Sequence, residues 1–443
     1  MSLQVVDDVP VAAVRRMAGL VSETLAEERI HRSATGRSSL DLDDERELAR
    51  NVIVRHLDVI AAEHLAQGFD LLDESQEARL VEAVLAKVLG LGRIQPLLDD
   101  PEITDIHIRG SASTRVKLAD GSRLPMPPVV DSDDELIELV RLVAARMGRT
   151  EQRFDAAAPE VNVQLQDGSR LFATMEVSAR PSVVIRKHRF ELSSLAELEN
   201  RGLIDFCLRE FLTAAVRAKR NIVICGGTGT GKTTMLRALL NEVPAFDRII
   251  TIEDAYELGL DRFEEQHPDY DMLQSRPANI EGRGAVTMLD LTKMALRMDP
   301  DRVIIGEVRG GEAFPMVLAM SQGNNGSMCT MHADSTRTVF PKLAAYVSMA
   351  ETGLPVETVN LLLATALHLV VHIDLIDGVR RVVSVREVVD ADGTRIVSNE
   401  VFAPGVDGRA VPAYPLRDPT LVMLEQHGFD AALLDPAGGW WPS

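Results

Sequence analysis

The densest cluster of chemistry-bearing residues is the run GGTGTGKTT, in which Gly226, Gly227, Thr228, Gly229, Thr230, Gly231, Lys232 and Thr233 fit the spacing GxxxxGK[ST] and Thr234 follows. Glycines at those positions let backbone amides turn inward around phosphate oxygens, and a helix starting at the lysine turns its positive end toward the same charge. Lys232 supplies a mobile cation for the β- and γ-phosphates. The Thr233 hydroxyl suits Mg²⁺, the ion that bridges and partly neutralises those phosphates, and Thr234 helps set the helix start. The flanks agree, with the β-branched NIVIC before the loop and the amphipathic MLRALL after it. The predicted ligands are therefore ATP and Mg²⁺.

Three further segments carry groups that could turn a binding loop into a hydrolytic site. In RMDPDRVIIGEVRGGEA, a buried strand over 303–305 delivers Glu307, which could hold metal-bound water or help activate the attacking water. In RIITIEDAYEL, Glu253 and Asp254 lie just beyond another strand and Glu257 follows. Glu253 is the candidate base, whereas a helix N-cap alone would explain Asp254. In MSQGNNGSMCTMHADS, His332 follows a predicted strand and suits a sensor of phosphate state, against the plainer alternative of a structural histidine. Cationic help for the γ-phosphate is sought from Arg309, the nearest in sequence. Arg170 and Arg186 are candidates reaching over from the preceding domain, against the alternative of solvated strand charge. Arg283, in EGRGAV, is a weaker candidate.

The elements that must position these groups read as an α/β chain. Beyond residue 204, a helix over 206–219 and strands over 222–225, 249–252, 303–305, 328–331 and 369–373 alternate with helices, which favours a largely parallel sheet with its ligand crevice at the strand ends. Asp377-Gly378 then joins two strands in a terminal hairpin. This ATPase domain is assigned to residues 205–390. Upstream, short β-rich runs (TDIHIRG, TRVKLA, VNVQLQ, RLFATMEV), hairpin turns at Asp120-Gly121 and Asp167-Gly168 and the helix DELIELVRLVAARMG predict an α+β domain over 101–190. Residues 45–100 read as a helical lead-in, with Leu80, Val81, Val84, Leu85 and Val88 at helical spacing. Residues 1–44 are expected to be a flexible arm, 191–204 a linker, and 391–443 a tail without a legible motif.

At 443 residues with 46% hydrophobic content the chain can bury more than one core. No apolar run approaches the length of about 20 that a spanning helix needs, and the N-terminus lacks a secretory pattern. The expected location is the cytoplasm, with peripheral membrane contact through partners. Cys207, Cys225 and Cys329 form no CxxC pair, so no zinc site is expected. A formal net charge of −20 counts against nucleic acid as the partner.

Taken together, GGTGTGKTT, TIEDAYEL, DPDRVIIGEVRGGEA and SQGNNGSMCTMHADS resemble the type II/IV secretion ATPase superfamily, and its CpaF/TadA-like branch most nearly. LGLGRIQPLLDDPEITDIHI and LQDGSRLF fit that branch too. The resemblance covers about residues 85–389 and departs from the branch at SQGNNGS. It implies a RecA-like ATPase domain moving against an N-terminal domain in a homo-hexameric ring, which powers pilus assembly or secretion through inner-membrane platform proteins. It assigns Walker A to 226–233, the Asp box to 251–257, Walker B to 303–307 and the His box to the neighbourhood of His332. Two alternatives stay open: a nucleic-acid translocase with a similar core, and a nucleotide-gated scaffold that barely hydrolyses ATP.

Overall fold

The computed structural model describes residues 11–435 except 39, 41, 68–70, 148–152, 166, 188–193 and 280. The chain divides into two units, one up to residue 188 and one from residue 189 onward.

Among the described residues the first unit opens with α1 (Val11–Thr35), α2 (Leu42–Gln67) and α3 (Glu74–Val88). Helix α3 starts at a capping box in which Asp73 accepts from the Gln76 amide and Gln76 reaches back to the Asp73 amide. The flexible arm expected over 1–44 is corrected here, although residues 1–10 lie outside the described residues. Met17, Ala18, Val21 and Leu25 recur at helical spacing and are buried in one cluster with Ala49, Ile53 and Leu57 of α2 and the apolar stripe of α3. The polar run that follows them, HRSATGRSS, masks that stripe in the sequence. A short helix α4 (Gln95–Asp99) leads into β1 (Ile103–Arg109), β2 (Ser113–Leu118), β3 (Arg123–Met126), α5 (Asp133–Met147), β4 (Glu160–Gln164), β5 (Arg170–Thr174) and β6 (Ser182–Arg186). These strands form an antiparallel sheet ordered β3-β2-β1-β6-β5-β4. Period-two alternation buries Ile106, Ile108, Leu171, Ala173, Val183 and Ile185 with Leu136, Val140 and Val143 of α5. The opposite face leaves Phe172 and Val184 exposed.

The second unit opens with α6 (Leu195–Asn200), α7 (Phe206–Arg217), β7 (Ile222–Gly226), α8 (Lys232–Leu240), β8 (Ile249–Glu253) and β9 (Tyr270–Gln274). It continues with α9 (Met288–Ala295), β10 (Arg302–Ile305), α10 (Ala313–Ser321), β11 (Met328–Met331), α11 (Val339–Met349) and α12 (Val356–Ala366). The remaining elements are β12 (Leu369–Ile376), β13 (Val379–Asp392), β14 (Arg395–Pro404), β15 (Ala410–Pro412) and α13 (Asp418–Gln426). Among the described residues nine strands form one sheet, ordered β15-β14-β13-β12-β7-β11-β10-β8-β9. The run from β12 to β9 is parallel, and β13 to β15 are added antiparallel.

The central strands are buried on both faces, which is why they read as continuous apolar runs. Ile222, Ile224, Ile304 and Met328 meet α7 and α8, while Val223, Cys225, Val303, Ile305 and Cys329 meet the side carrying α9 to α12. Each such side chain contributes roughly 1.5–3 kcal/mol by leaving water.

Two boundaries are corrected. Within the expected linker, Ser194 caps α6, and Leu195, Leu198, Leu203 and Ile204 are buried in the second unit's core. Beyond residue 390, the expected tail continues the sheet: Val401, Phe402, Ala410, Leu416, Leu424, Phe429 and Leu433 join the same core. Phe211 of α7 packs edge-on against both Phe402 and Phe429. The strands here are amphipathic additions to an edge, so they lack the unbroken apolar signature of β7 or β10. Trp440 and Trp441 lie outside the described residues.

Two buried polar anchors fasten the amino ends of the parallel strands. Asn221 accepts from the Gly326 and Ser327 amides (2.8 and 3.1 Å) and donates to Met320 O and Ala366 O (3.0 and 2.6 Å). Arg302, fully buried, pairs with Asp247 at 2.7 Å and donates to Val216 O at 3.0 Å.

Candidate functional site

The loop from Gly226 to Gly231 leaves the carboxyl end of β7, the sheet's central strand on its helix-flanked side, and feeds directly into α8. Gly226 must be glycine: a Cβ there would collide with Ile373 O, and Thr230 Oγ1 would lie only 2.7 Å away. Gly229 (φ 77°) and Gly231 (φ 99°) adopt the left-handed backbone that turns the loop. Thr230 Oγ1 and Lys232 Nζ both donate to Gly227 O, at 3.0 and 2.8 Å, so the lysine folds back over the cradle. Gly227, Thr228 and Gly229 are exposed at the mouth, and Thr233 and Thr234 sit half-buried in the first turn of α8.

Burial lowers the Lys232 pKa from the usual lysine range, with Glu307 opposing that shift. Its Nζ lies 3.4 Å from His332 Nδ1, and His332 Nε2 lies 2.8 Å from Glu307 Oε1. Burial first and Lys232 second push the His332 pKa down, favouring the neutral ring. A ring protonated on Nε2 leaves Nδ1 free to accept from the ammonium.

Glu307 also bonds Arg309 through its second oxygen, and Arg309 Nη1 reaches Asp254 Oδ2 at 3.0 Å. The bond to Glu307 raises the Arg309 pKa. Lys232, His332, Glu307, Arg309 and Asp254 thus form one chain of alternating charge and imidazole. They come from the carboxyl ends of β7, β11, β10 and β8, neighbours in the sheet.

The structure brings Glu253 near and engages one of its two oxygens with the backbone. It is 2% exposed, and its Oε2 accepts from the Glu257 and Leu258 amides at 2.7 and 2.9 Å. The absence of a side chain at Gly306 makes room for it, since a Cβ there would meet Glu253 Cγ at 3.2 Å. Glu253 therefore shapes the turn that carries Glu257. Glu257 Oε2 in turn sits 3.4 Å from Thr233 Oγ1, the hydroxyl singled out for Mg²⁺. The sequence places Glu257 at the end of the Asp box; the fold adds that it returns to the helix start.

A hydroxyl with a carboxylate beside it is oxygen chemistry of the kind Mg²⁺ takes. Among the described residues, no group of three or more His, Cys, Asp or Glu side chains could hold a metal by itself.

The remaining candidates sit within their own units. Arg170 and Arg186 face each other across β5 and β6 in the first unit, with Arg186 Nε 3.4 Å from Asp105. Arg283 is an exposed residue of the segment between β9 and α9, 3.9 Å from Glu281. The SQGNNGS segment precedes β11, so it lies at the opposite end of that strand from His332. There Asn324 bonds Pro300 O and Asn325 meets Asn221. Its departure from the branch pattern thus falls on an anchor of the sheet.

Two contributions come from the far end of the sequence. Arg386 of β13 donates to Thr336, four residues beyond His332, and pairs with Glu400 of β14 at 2.8 Å. Arg380, also of β13, donates its Nε to Gly229 O at 2.9 Å.

A phosphate loop on the central strand of a parallel sheet, with acidic groups at the ends of neighbouring strands, defines a RecA-like P-loop fold. Comparison with known proteins narrows this. The family model described as "Type II/IV secretion system protein" matches residues 104–402. A Mycobacterium tuberculosis protein named for conjugal transfer is 32% identical over 312 residues, spanning 68% of this chain and 85% of that protein. The type IV secretion system protein VirB11 of Brucella suis biovar 1 is 30% identical over 308 residues, covering 63% of this chain and 83% of its own. Among solved structures, the Brucella suis VirB11 ATPase in complex with sulphate is 28% identical. It covers 68% of this chain and 96% of its own with a TM-score of 0.36. The pilus retraction motor PilT with bound ADP is 16% identical, covering 75% of this chain and 85% of its own with a TM-score of 0.45. The chain belongs to the type II/IV secretion system protein family.

Proposed function

We propose that this protein is a Mg²⁺-dependent ATPase that works as a homo-hexameric motor, driving secretion or pilus assembly through an inner-membrane platform. The observation that carries the reading is the linked set Lys232, His332, Glu307 and Arg309 at the mouth of the phosphate cradle, within a chain of the secretion family. Bound Mg²⁺ would neutralise phosphate charge, and Thr233 and Glu257 are the residues suited to hold it. Lys232 exchanges its bond to Gly227 O for phosphate oxygens. Glu307, once relieved of Arg309, orients the attacking water, and Arg309 turns its charge to the γ-phosphate. His332 lies between cradle and carboxylate, so a change at either end alters its partners and reports phosphate state. Glu253 keeps Glu257 in position through the two amides it binds. Arg170 and Arg186 are the further candidates for meeting the nucleotide, within a subunit or from its neighbour. The CpaF/TadA-like motifs favour the pilus branch.

No helix among the described residues is long and apolar enough to cross a membrane. The proposed location is the cytoplasm, with platform contact through partner proteins. The net charge of −20 disfavours a nucleic-acid track.

The test is specific ATPase activity against protein concentration, with particle size measured on the same samples. A motor of this kind gains turnover per chain as rings assemble. Equal turnover in monomer and ring, or stimulation by DNA in place of assembly, would refute it.

A further inference from the structure

ATP has two distinguishable ends, and the topology orients them. Glu307 and His332, which address the γ-phosphate under the reading proposed above, stand at the ends of β10 and β11, on one side of β7. The base must leave the cradle toward the other side, where β12 runs parallel to β7 with Ile373 opposite Gly226. Beyond that register point β12 continues to Ile376 and turns through Asp377 (φ 50°) and Gly378 (φ 81°) into β13. The hairpin tip therefore projects past the end of β7, beside the phosphate loop.

From that tip Arg380 lies along the outside of the loop. Its Nε donates to Gly229 O, and its Cδ passes 3.4 Å from where a Cβ on Gly231 would stand. The residue is exposed. Leu375 pairs with Arg380 across the hairpin, so the two share a face, and Leu375 is 53% exposed. An exposed leucine beside a guanidinium fixed in orientation by a backbone bond is an uncovered apolar and cationic surface on the nucleoside side of the cradle. Planar guanidinium groups stack on nucleobases, and aliphatic side chains pack against the same rings.

We propose that Arg380 and Leu375 form the platform for the adenine base. Arg380 holds the loop by Nε while its plane covers the ring. The proposal rests on the nucleotide-binding reading and deepens it, because it names the residues that recognise the nucleoside rather than the phosphates. The segment that carries them is separated from the phosphate loop by about 150 residues in the sequence, counting from Gly229 to Arg380.

The test uses the full chain and two ligands, ADP and inorganic pyrophosphate, titrated calorimetrically or by competition with a fluorescent ADP. Arg380→Ala is expected to weaken ADP about tenfold and pyrophosphate by less than about twofold, the difference being one ring contact. Arg380→Lys keeps a charge and a donor but loses the plane, so it should show the same selective loss. Leu375→Ala should weaken ADP about threefold with pyrophosphate unchanged. Equal losses for both ligands would overturn the platform, since Arg380 would then act only through the loop. Unchanged ADP affinity in Arg380→Ala, or full recovery with lysine, would also overturn it. A wild-type chain to which neither ligand binds would instead overturn the nucleotide-binding reading on which the platform depends.

Discussion

Replacing Arg302 by methionine tests how strand β10, and with it Glu307, is held. The side chain is fully buried, pairs with Asp247 at 2.7 Å and donates to Val216 O at 3.0 Å. It also lies against Gly326, where an added Cβ would stand 2.9 Å from the arginine Cζ. Methionine keeps much of the volume but leaves Asp247 without its inner partner. Breaking a buried pair from one side costs about 3–5 kcal/mol. Here Asp247 retains Lys219 at 3.3 Å, which holds the cost toward the lower limit. The loss of the donor to Val216 O adds about 1 kcal/mol, while relief of the arginine's own desolvation offsets a similar amount. The expected net destabilisation is about 3 kcal/mol, a fall of about 5–10 °C in melting temperature for a unit of this size. Urea or thermal unfolding of the wild type, Arg302→Met, Asp247→Asn and the double variant measures it. A coupling energy above about 1 kcal/mol is expected. Additive losses, or a loss below about 1 kcal/mol for Arg302→Met, would refute the reasoning.

Three further outcomes are expected. His368 accepts from the Asn221 amide at 2.9 Å, and burial holds its pKa at about 4. The unfolded chain takes up that proton first, so His368's contribution is complete above about pH 6.5 and is lost as pH falls toward 4. Urea unfolding at pH 7.5 and pH 5 should show this loss, up to roughly 2 kcal/mol over that interval, and His368→Gln should remove the difference. Leu25→Ala, in the buried stripe of α1, should cost about 2–4 kcal/mol and speed amide exchange across α1 to α3. Unchanged exchange there would contradict a folded N-terminal bundle. Lys232→Ala should weaken ATP binding at least about 100-fold in calorimetry, consistent with loss of a charge-assisted contact to phosphate; retention of wild-type affinity would remove the cradle from the account.

What the sequence discloses follows from how each element is buried. Strands β7, β8, β10 and β11 are enclosed on both faces, so ITIE, RVII and MCTM carry their own signal, and the loop between β7 and α8 is constrained enough by glycine to be read letter by letter. Strand β9 is an edge strand, half-buried throughout, and YDMLQ offers no comparable pattern. The segment beyond residue 390 is invisible for the same reason: its strands add to an edge, and only Phe402, Phe429 and their neighbours disclose a core. Helix α1 hides because a polar run follows its apolar stripe. At the site, residue types and strand ends single out Glu307, His332 and Lys232, which the structure brings together. They do not tell that Glu257 returns to Thr233 or that Arg380 reaches Gly229. Those are long-range facts, set by chain reversal and sheet order rather than by local pattern.

The central claim is that the carboxylate at Glu307 drives hydrolysis of a nucleotide held by the Lys232 cradle. Its most direct measurement is ATP binding and steady-state ATP turnover, with Mg²⁺, of the wild type and Glu307→Gln under identical assembly. The account predicts ATP affinity within about threefold of wild type and turnover reduced by at least about 100-fold, the usual scale for removing a water-activating carboxylate. Turnover in Glu307→Gln equal to wild type would contradict it.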